Sequence, residues 1–271
     1  MNWFTDTFWP KWLGWTGTKG DWLSWAMLIV AALIVVVTIF SLGVSIYLAV
    51  KYVKFNRRKN SANMTGVEAA RKVLDDNDLQ HIKVKSVGSM LFGNSYSHYF
   101  KKVRLRRLTK NKTSITALAI GVEKAALAVL DKENDPAMKT RIVLTPITFF
   151  GPFAFIPLVI IGFLLDFFVF HTNGVLTIIL ACVGLGFFVA SLILSIVTLK
   201  TEIRAQERSY ELLRSSKLAT EEEIGMMKEL FRLYNIEYVN DIILSALELL
   251  YRVLQIVAAV QGNSSSSSSN K

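Results

Sequence analysis

Residues able to bind a metal or transfer a proton are sparse in this chain, and their spacing limits the possible chemistry. The chain has three histidines, His81, His98 and His171. A zinc peptidase whose metal ligands lie on a helix needs two His side chains one turn apart on the same face of that helix. It also needs a Glu beside the first, as general base on the bound water. No two of the three histidines have this spacing.

Apolar residues occur in long blocks, which indicates a membrane protein. The block 25–53 has no charge before Lys51, the block 143–170 contains only Asp166, and the block 174–199 contains none. Each is longer than the roughly 20 residues that cross a hydrocarbon core of about 30 Å. We therefore predict three membrane-spanning helices.

A fourth apolar segment, 239–260, carries Glu248 and Arg252 one helical turn apart, so the two charges could neutralise each other. The segment could span the membrane or lie on its surface as an amphipathic helix. Charges inside spanning segments mark ion or substrate pathways by default. Asp166, Glu248 and Arg252 are therefore candidate residues of a transporter or channel subunit.

Basic residues are concentrated between the first two spans. Residues 55–141 contain 18 Lys/Arg and 8 Asp/Glu, and the difference of 10 equals the net charge of the whole chain. Such a loop favours the cytoplasmic side, which places the N-terminus outside and the helices of 200–236 inside. Orientation and contact with anionic lipid headgroups explain the basic clusters more simply than nucleic acid does. We expect no nucleic-acid partner.

The two ends of the chain have unusual compositions. Every tryptophan lies at or before Trp25, so the segment 1–24 is predicted to anchor in the headgroup layer. The Ser-rich tail 262–271 has low complexity and is predicted to be disordered.

The basic region 54–142 has the pattern of a small α+β fold. Capping-box patterns at 65–68 and 220–223 predict two helix starts. Period-two alternation at 82–87 and at 103–105 predicts a short sheet. The fold class expected overall is a mostly α membrane protein with three to four transmembrane helices and this region between the first and second spans.

The order of these elements resembles the YugP-type neutral zinc metallopeptidases, a family of bacterial membrane proteins. The resemblance is carried by MTGVEAARKVL at 64–74, His-Tyr at 98–99, SITALAI at 114–120, the Pro and Phe-Gly positions of 146–158, and the Glu-bearing helix at 198–213. It implies a zincin-like cytoplasmic region with its metal helix at 114–130.

Carried over by position, the resemblance puts Glu123 at the first His, Lys124 at the catalytic Glu, Leu127 at the second His and Glu202 at the third zinc ligand. A charged Lys124 accepts no proton and repels Zn²⁺, and two carboxylates alone make a poor zinc site. We therefore expect no metal, no cofactor and no catalytic residue. Glu123, Lys124 and Glu202 are expected to form an internal ion-pair set in place of the metal. Solvated surface charges and residual metal binding remain as alternatives.

These inferences predict a pseudo-peptidase, and so not an enzyme, in the bacterial plasma membrane. Its expected partners are the lipid bilayer and another membrane protein or complex, for which it would be an adaptor, scaffold or regulator. An active membrane zinc metallopeptidase with non-standard ligands and a transporter or channel subunit are the alternatives.

Overall fold

The computed structural model describes residues 22–87, 93–145, 155–170 and 174–268. They fall into two compact units. The apolar unit draws on 1–41, 147–193 and 240–271, and the α+β unit on 42–146 and 194–239. Three helices run from one unit into the other.

The described residues form helices and one small sheet. The helices are α1 (Trp22–Arg57), α2 (Gly66–Asp76), α3 (Arg107–Lys110), α4 (Ile115–Lys132), α5 (Pro136–Leu144), α6 (Phe155–Leu165) with a π-helical segment Asp166–Phe170, α7 (Val175–Ser215) and α8 (Glu221–Ser268). The strands are β1 (Lys83–Val87), β2 (Ser95–Ser97) and β3 (Lys102–Arg106). The expectation of a mostly helical protein with a short sheet is confirmed.

Two of the described helices, α1 and α7, are long and apolar enough to cross a membrane. They correspond to the predicted first and third spans. The predicted second span is represented by α6 and its π-helical segment, which together have only the length of a shorter apolar helix. The segment 239–260 belongs to α8, which does not meet the criteria for a span. The described residues therefore contain two candidate spanning helices, and the expected three to four spans remain a prediction.

Helix α4 forms the centre of the α+β unit, because every residue from Ile115 to Leu130 except Lys124 is buried. It packs against α2 at two glycines. A Cβ on Gly66 would collide with the backbone of Ala117, and a Cβ on Gly121 would collide with the backbone of Gly66. The two helices therefore touch backbone to backbone.

The sheet has the strand order β1-β3-β2, with β1 parallel and β2 antiparallel to β3. Alternation sends Tyr96, Val103 and Leu105 into the same hydrophobic core as α2 and α4. The opposite face carries the Lys and Arg residues of the strands. A sheet that is half buried and half solvated alternates in this way.

Both predicted capping boxes are present. The Thr65 backbone N–H donates to Glu68 Oε2 at 2.7 Å, and the Glu68 N–H donates to Thr65 Oγ1 at 3.3 Å. The Thr220 and Glu223 pair has the same arrangement at 2.9 and 3.3 Å. These reciprocal bonds satisfy N–H groups that the first turn leaves unpaired.

The ends of the chain differ in part from expectation. Helix α8 is continuous from Glu221 to Ser268, whereas the sequence predicts separate segments at 200–236 and 239–260 and a disordered tail from residue 262. The positions 1–21 of the Trp-rich segment, and 269–271 of the tail, lie outside the described residues. The side chains of Trp22 and Trp25 are exposed.

Candidate functional site

The candidate site lies on α4, in the buried centre of the α+β unit. The helix begins where Ser114 Oγ accepts a hydrogen bond from the Ala117 N–H at 3.1 Å. Before Asp131 its only charged residues are Glu123 and Lys124 and most of the others are apolar, so the helix is buried on all sides. This burial carries two charged side chains into the interior, where they need partners.

The partners come from α7 and α5. Lys124 Nζ donates to Glu202 Oε2 at 2.7 Å and to Glu123 Oε1 at 3.0 Å. Arg141 donates to the other oxygen of Glu202 at 2.9 Å. All four side chains are 5–18% exposed. We call these four residues the Lys124 cluster, and it matches the expected ion-pair set with Arg141 added.

The pKa values of the two carboxylates in the Lys124 cluster are shifted in opposite directions. Burial raises the pKa of Glu123 to about 8, with Lys124 opposing the rise and Glu202 adding to it. Burial also acts to raise the pKa of Glu202, but Lys124 and Arg141 outweigh it and hold that pKa below the ordinary value. The two carboxylates outweigh burial at Lys124 and raise its pKa. Glu202 therefore carries the anionic charge, and Glu123 retains a proton most readily.

The residues at the predicted motif positions do not fit a zinc ion. Zinc in proteins is bound by Cys, His and carboxylate ligands, usually four in all. Here Leu127 is fully buried and has no ligand atom, Lys124 is a cation, and both oxygens of Glu202 already accept from cations. Among the described residues, no group of three or more His, Cys, Asp or Glu side chains could hold a metal ion.

The histidines are not brought to the Lys124 cluster within the described residues. His98 Nδ1 lies 2.7 Å from Asp131 Oδ2, which also accepts from the Tyr96 hydroxyl at 2.6 Å. Asp131 is eight residues after Glu123 on α4, about 12 Å along the helix axis. His81 is exposed, and His171 lies outside the described residues.

Two charged residues of the apolar unit have contacts with uncharged side chains. Asp166 accepts from the N–H and the hydroxyl of Thr177 at 2.7 and 2.6 Å. The Arg252 guanidinium lies over the ring of Phe155 at 4.7 Å. Neutralisation of Arg252 by Glu248, which the spacing allows, is not found among the described ion pairs, and the guanidinium makes a cation–π contact.

Sequence reasoning missed Arg141 and the group formed by Tyr96, His98 and Asp131. Arg141 precedes an apolar block, where a basic residue is ordinarily explained by membrane orientation. Tyr96 lies in β2 and His98 follows that strand directly, and both side chains reach Asp131 near the end of α4. Only the sheet topology could have indicated that they meet at Asp131.

Comparison with known protein families identifies a match to this sequence. The sequence model of the family described as "Putative neutral zinc metallopeptidase" matches residues 30–257. This chain belongs to that family. The family resemblance read from the sequence motifs is thereby confirmed.

This chain is also similar to an individual protein of known sequence. The chain is 26% identical to the "Putative membrane protease YugP" of Bacillus subtilis (strain 168) over 228 residues, which cover 82% of this chain and 96% of the relative. No solved structure matches. The relative's description and the two helices of spanning length agree on a membrane location.

These matches correct one prediction. The expectation that the chain is not an enzyme is contradicted, because both the family and the relative are described as peptidases. The contacts of the Lys124 cluster define the structure of one buried site. They do not exclude peptidase activity.

Proposed function

We propose that this chain is a multi-pass membrane member of the metallopeptidase family that binds another membrane protein, as an adaptor, scaffold or regulator. We place the N-terminus outside and the α+β unit in the cytoplasm, following the basic excess of 55–141. We assign three or four spans. By sequence alone the apolar block 143–170 is long enough to cross, and 239–260 supplies the fourth candidate.

The observation that carries this proposal is the Lys124 cluster. Lys124 Nζ lies within 3.0 Å of a carboxylate oxygen on α4 and another on α7. Arg141 adds α5 to the same set of contacts. Three helices are therefore joined by charged hydrogen bonds at a site where the family resemblance implies a metal ion. Charge-assisted hydrogen bonds are stronger than neutral ones and hold these three helices together. A fold held together in this way supports the proposal that the chain binds a protein partner.

Binding of a membrane protein can be measured on the full chain. The tagged protein, extracted from bacterial membranes in mild detergent after brief crosslinking, should recover one membrane protein in near-equal amount. A tagged unrelated membrane protein of similar size is the matched bait. Recovery of the same set of abundant membrane proteins by both baits would contradict the proposal.

Peptide hydrolysis is the second candidate function, favoured by the descriptions of the family and the relative. In this case the bound membrane protein would be a substrate, and the ligands would be non-standard. The test is cleavage of a casein or fluorogenic peptide substrate by the purified full chain, with elemental analysis for zinc. Chelator-sensitive cleavage that Glu202→Ala abolishes, with one tightly held zinc per chain, would support this candidate over the adaptor.

A further inference from the structure

One face of the sheet is a grid of cations. The register aligns three residues in each of two rows across the strands, and each row has two cations and one hydroxyl. The two rows are Lys83, Lys102 and Ser97, and Lys85, Arg104 and Ser95. Strands lie about 4.8 Å apart and alternate residues about 6.7 Å apart, so the Cα atoms of the four basic residues lie within about 10 Å of one another.

No acid compensates this grid in the described part of the chain. Lys83, Lys85, Lys102 and Arg104 take part in none of the ion pairs found there. The sequence from Leu79 to Val122 contains nine Lys/Arg and no Asp/Glu. Burial, followed by the like charges of Arg104 and Lys85, lowers the pKa of Lys102. Like charges on directly opposite strand positions destabilise a sheet, so the sheet's own stability does not favour them.

An exposed aromatic residue lies beside the grid. Phe100, in the turn between β2 and β3, is 66% exposed, and its ring centroid is 4.3 Å from Lys102 Nζ and 5.7 Å from the Arg104 guanidinium. Cations beside an exposed aromatic ring suit the interface between water and lipid, where the ring enters the headgroup layer and the cations bind phosphate.

The sheet belongs to a unit that is connected through the chain to a candidate spanning helix. Helix α1 is apolar enough to cross a membrane and continues without a break to Arg57. Its end is fixed in the α+β unit, where Phe55 is buried with Leu48 and Leu230. A basic face attached to a spanning helix meets headgroup phosphates at a high effective concentration. A nucleic acid has no comparable tether.

We propose that the sheet face formed by these two rows and Phe100 binds the phosphates of anionic lipid headgroups at the membrane surface. The Lys and Arg side chains pair with phosphate oxygens, and the Ser95 and Ser97 hydroxyls donate to them. This inference does not depend on the adaptor or the peptidase function.

The test compares lysine labelling of the full chain in two kinds of nanodisc, one of phosphatidylglycerol and one of zwitterionic phosphatidylcholine. An amine-reactive reagent and peptide mass spectrometry report each lysine. Lys83, Lys85 and Lys102 should react more slowly in the anionic discs, by about fivefold at least. Salt on the order of 0.5 M should remove the difference. Lys110 and Lys112 should change by less than about twofold.

Matched variants separate the sheet face from net charge. The double variant Lys85→Gln with Arg104→Gln should abolish the protection of Lys83 and Lys102. The double variant Lys110→Gln with Lys112→Gln loses the same charge from the same acid-free stretch and should keep it. Circular dichroism should show the first variant at least as heat-stable as the wild type, because a like-charge pair is relieved.

Three results would overturn the proposal. The first is equal labelling in the two kinds of disc. The second is equal loss of protection in the two double variants, which would reduce the effect to net charge. The third is protection of the same lysines by a single-stranded RNA oligonucleotide in phosphatidylcholine discs, as strong as that by phosphatidylglycerol, which would assign the face to nucleic acid.

Discussion

Gly66 of α2 and Gly121 of α4 face each other so closely that the backbone of Gly66 fills the space of a side chain at Gly121. This contact fixes where α4 crosses α2, and therefore how deep the start of the Lys124 cluster lies. The cluster begins two residues after Gly121, so the positions of the charges depend on this crossing.

Gly121→Ala should destabilise the α+β unit. The added methyl group must push α2 and α4 apart, and overpacking of this kind costs about 1–3 kcal/mol. The matched control is Gly225→Ala in α8, where no atom lies within 4 Å and the helix should gain up to about 1 kcal/mol. Thermal unfolding of the detergent-solubilised protein, followed by circular dichroism, measures both. A Gly121→Ala protein as stable as the control would show that the helices do not meet as described.

Lys124→Met should destabilise the protein strongly. The change leaves Glu123 and Glu202 buried without their shared cation, and breaking a buried pair from one side costs about 3–5 kcal/mol. Lys132→Met on the same helix is the control, because Lys132 and its partner Asp78 are both exposed and such pairs contribute about 0–1 kcal/mol. Unfolding in denaturant separates the two. Equal midpoints would mean that Lys124 is solvated.

Glu123→Gln should change the pH dependence of stability. The pKa of Glu123 is raised to about 8, so the folded protein holds a proton that the unfolded chain releases near pH 4.5. The raised pKa of Glu123 therefore stabilises the folded protein most below about pH 4.5. This contribution to the unfolding free energy falls as the pH rises to about 8, by an amount on the order of a few kcal/mol. The amide has no such proton, so the variant's unfolding temperature should fall less between pH 5 and pH 8. Parallel pH profiles for the two proteins would rule out the raised pKa.

Asp131→Asn should destabilise the junction between α4 and the sheet at neutral pH. The Asp131 carboxylate binds Tyr96 and His98, and losing a charged acceptor costs about 1–3 kcal/mol. Burial acts to raise the pKa of Asp131, but its bonds to Tyr96 and His98 outweigh burial and lower it.

The sign of this effect gives the pH test. Because the pKa of Asp131 is lowered in the folded protein, its carboxylate stabilises the fold at pH values above the ordinary pKa of 3.8. This stabilisation is lost as the pH falls below that value. The difference between Asp131→Asn and wild type should therefore shrink in acid. Asp78→Asn, at a carboxylate whose side chain is 87% exposed, should have little effect at either pH. A difference for Asp131→Asn that persists unchanged in acid would contradict this assignment.

Features set by local sequence could be predicted without the structure. The capping boxes at Thr65 and Thr220 depend on residues three apart, and the sheet alternation depends on residues two apart. The charge pairing of Lys124 with Glu202 followed from the family's residue order, together with the rule that buried charges are paired. The family itself was identified from short motifs in sequence order, and the comparison confirmed it.

Features that depend on distant contacts could not be predicted. Arg141 reaches Glu202 across 61 positions of the chain, and no local pattern indicates this. The spacing of one turn allows Arg252 to pair with Glu248. The packing of α8 instead places its guanidinium over the rings of Phe155 and Phe188. Local spacing shows which groups can meet, and tertiary packing decides which of them do.

The two oxygens of Glu202 accept from different cations, and this has an evolutionary consequence. Changing Glu123 to His alone would leave the Lys124 ammonium against any incoming cation. Changing Lys124 to Glu alone would crowd three acids around a single guanidinium. Both of these single changes toward a zinc centre pass through a protein with unbalanced interior charge, so natural selection should preserve the charged side chains together or replace them together.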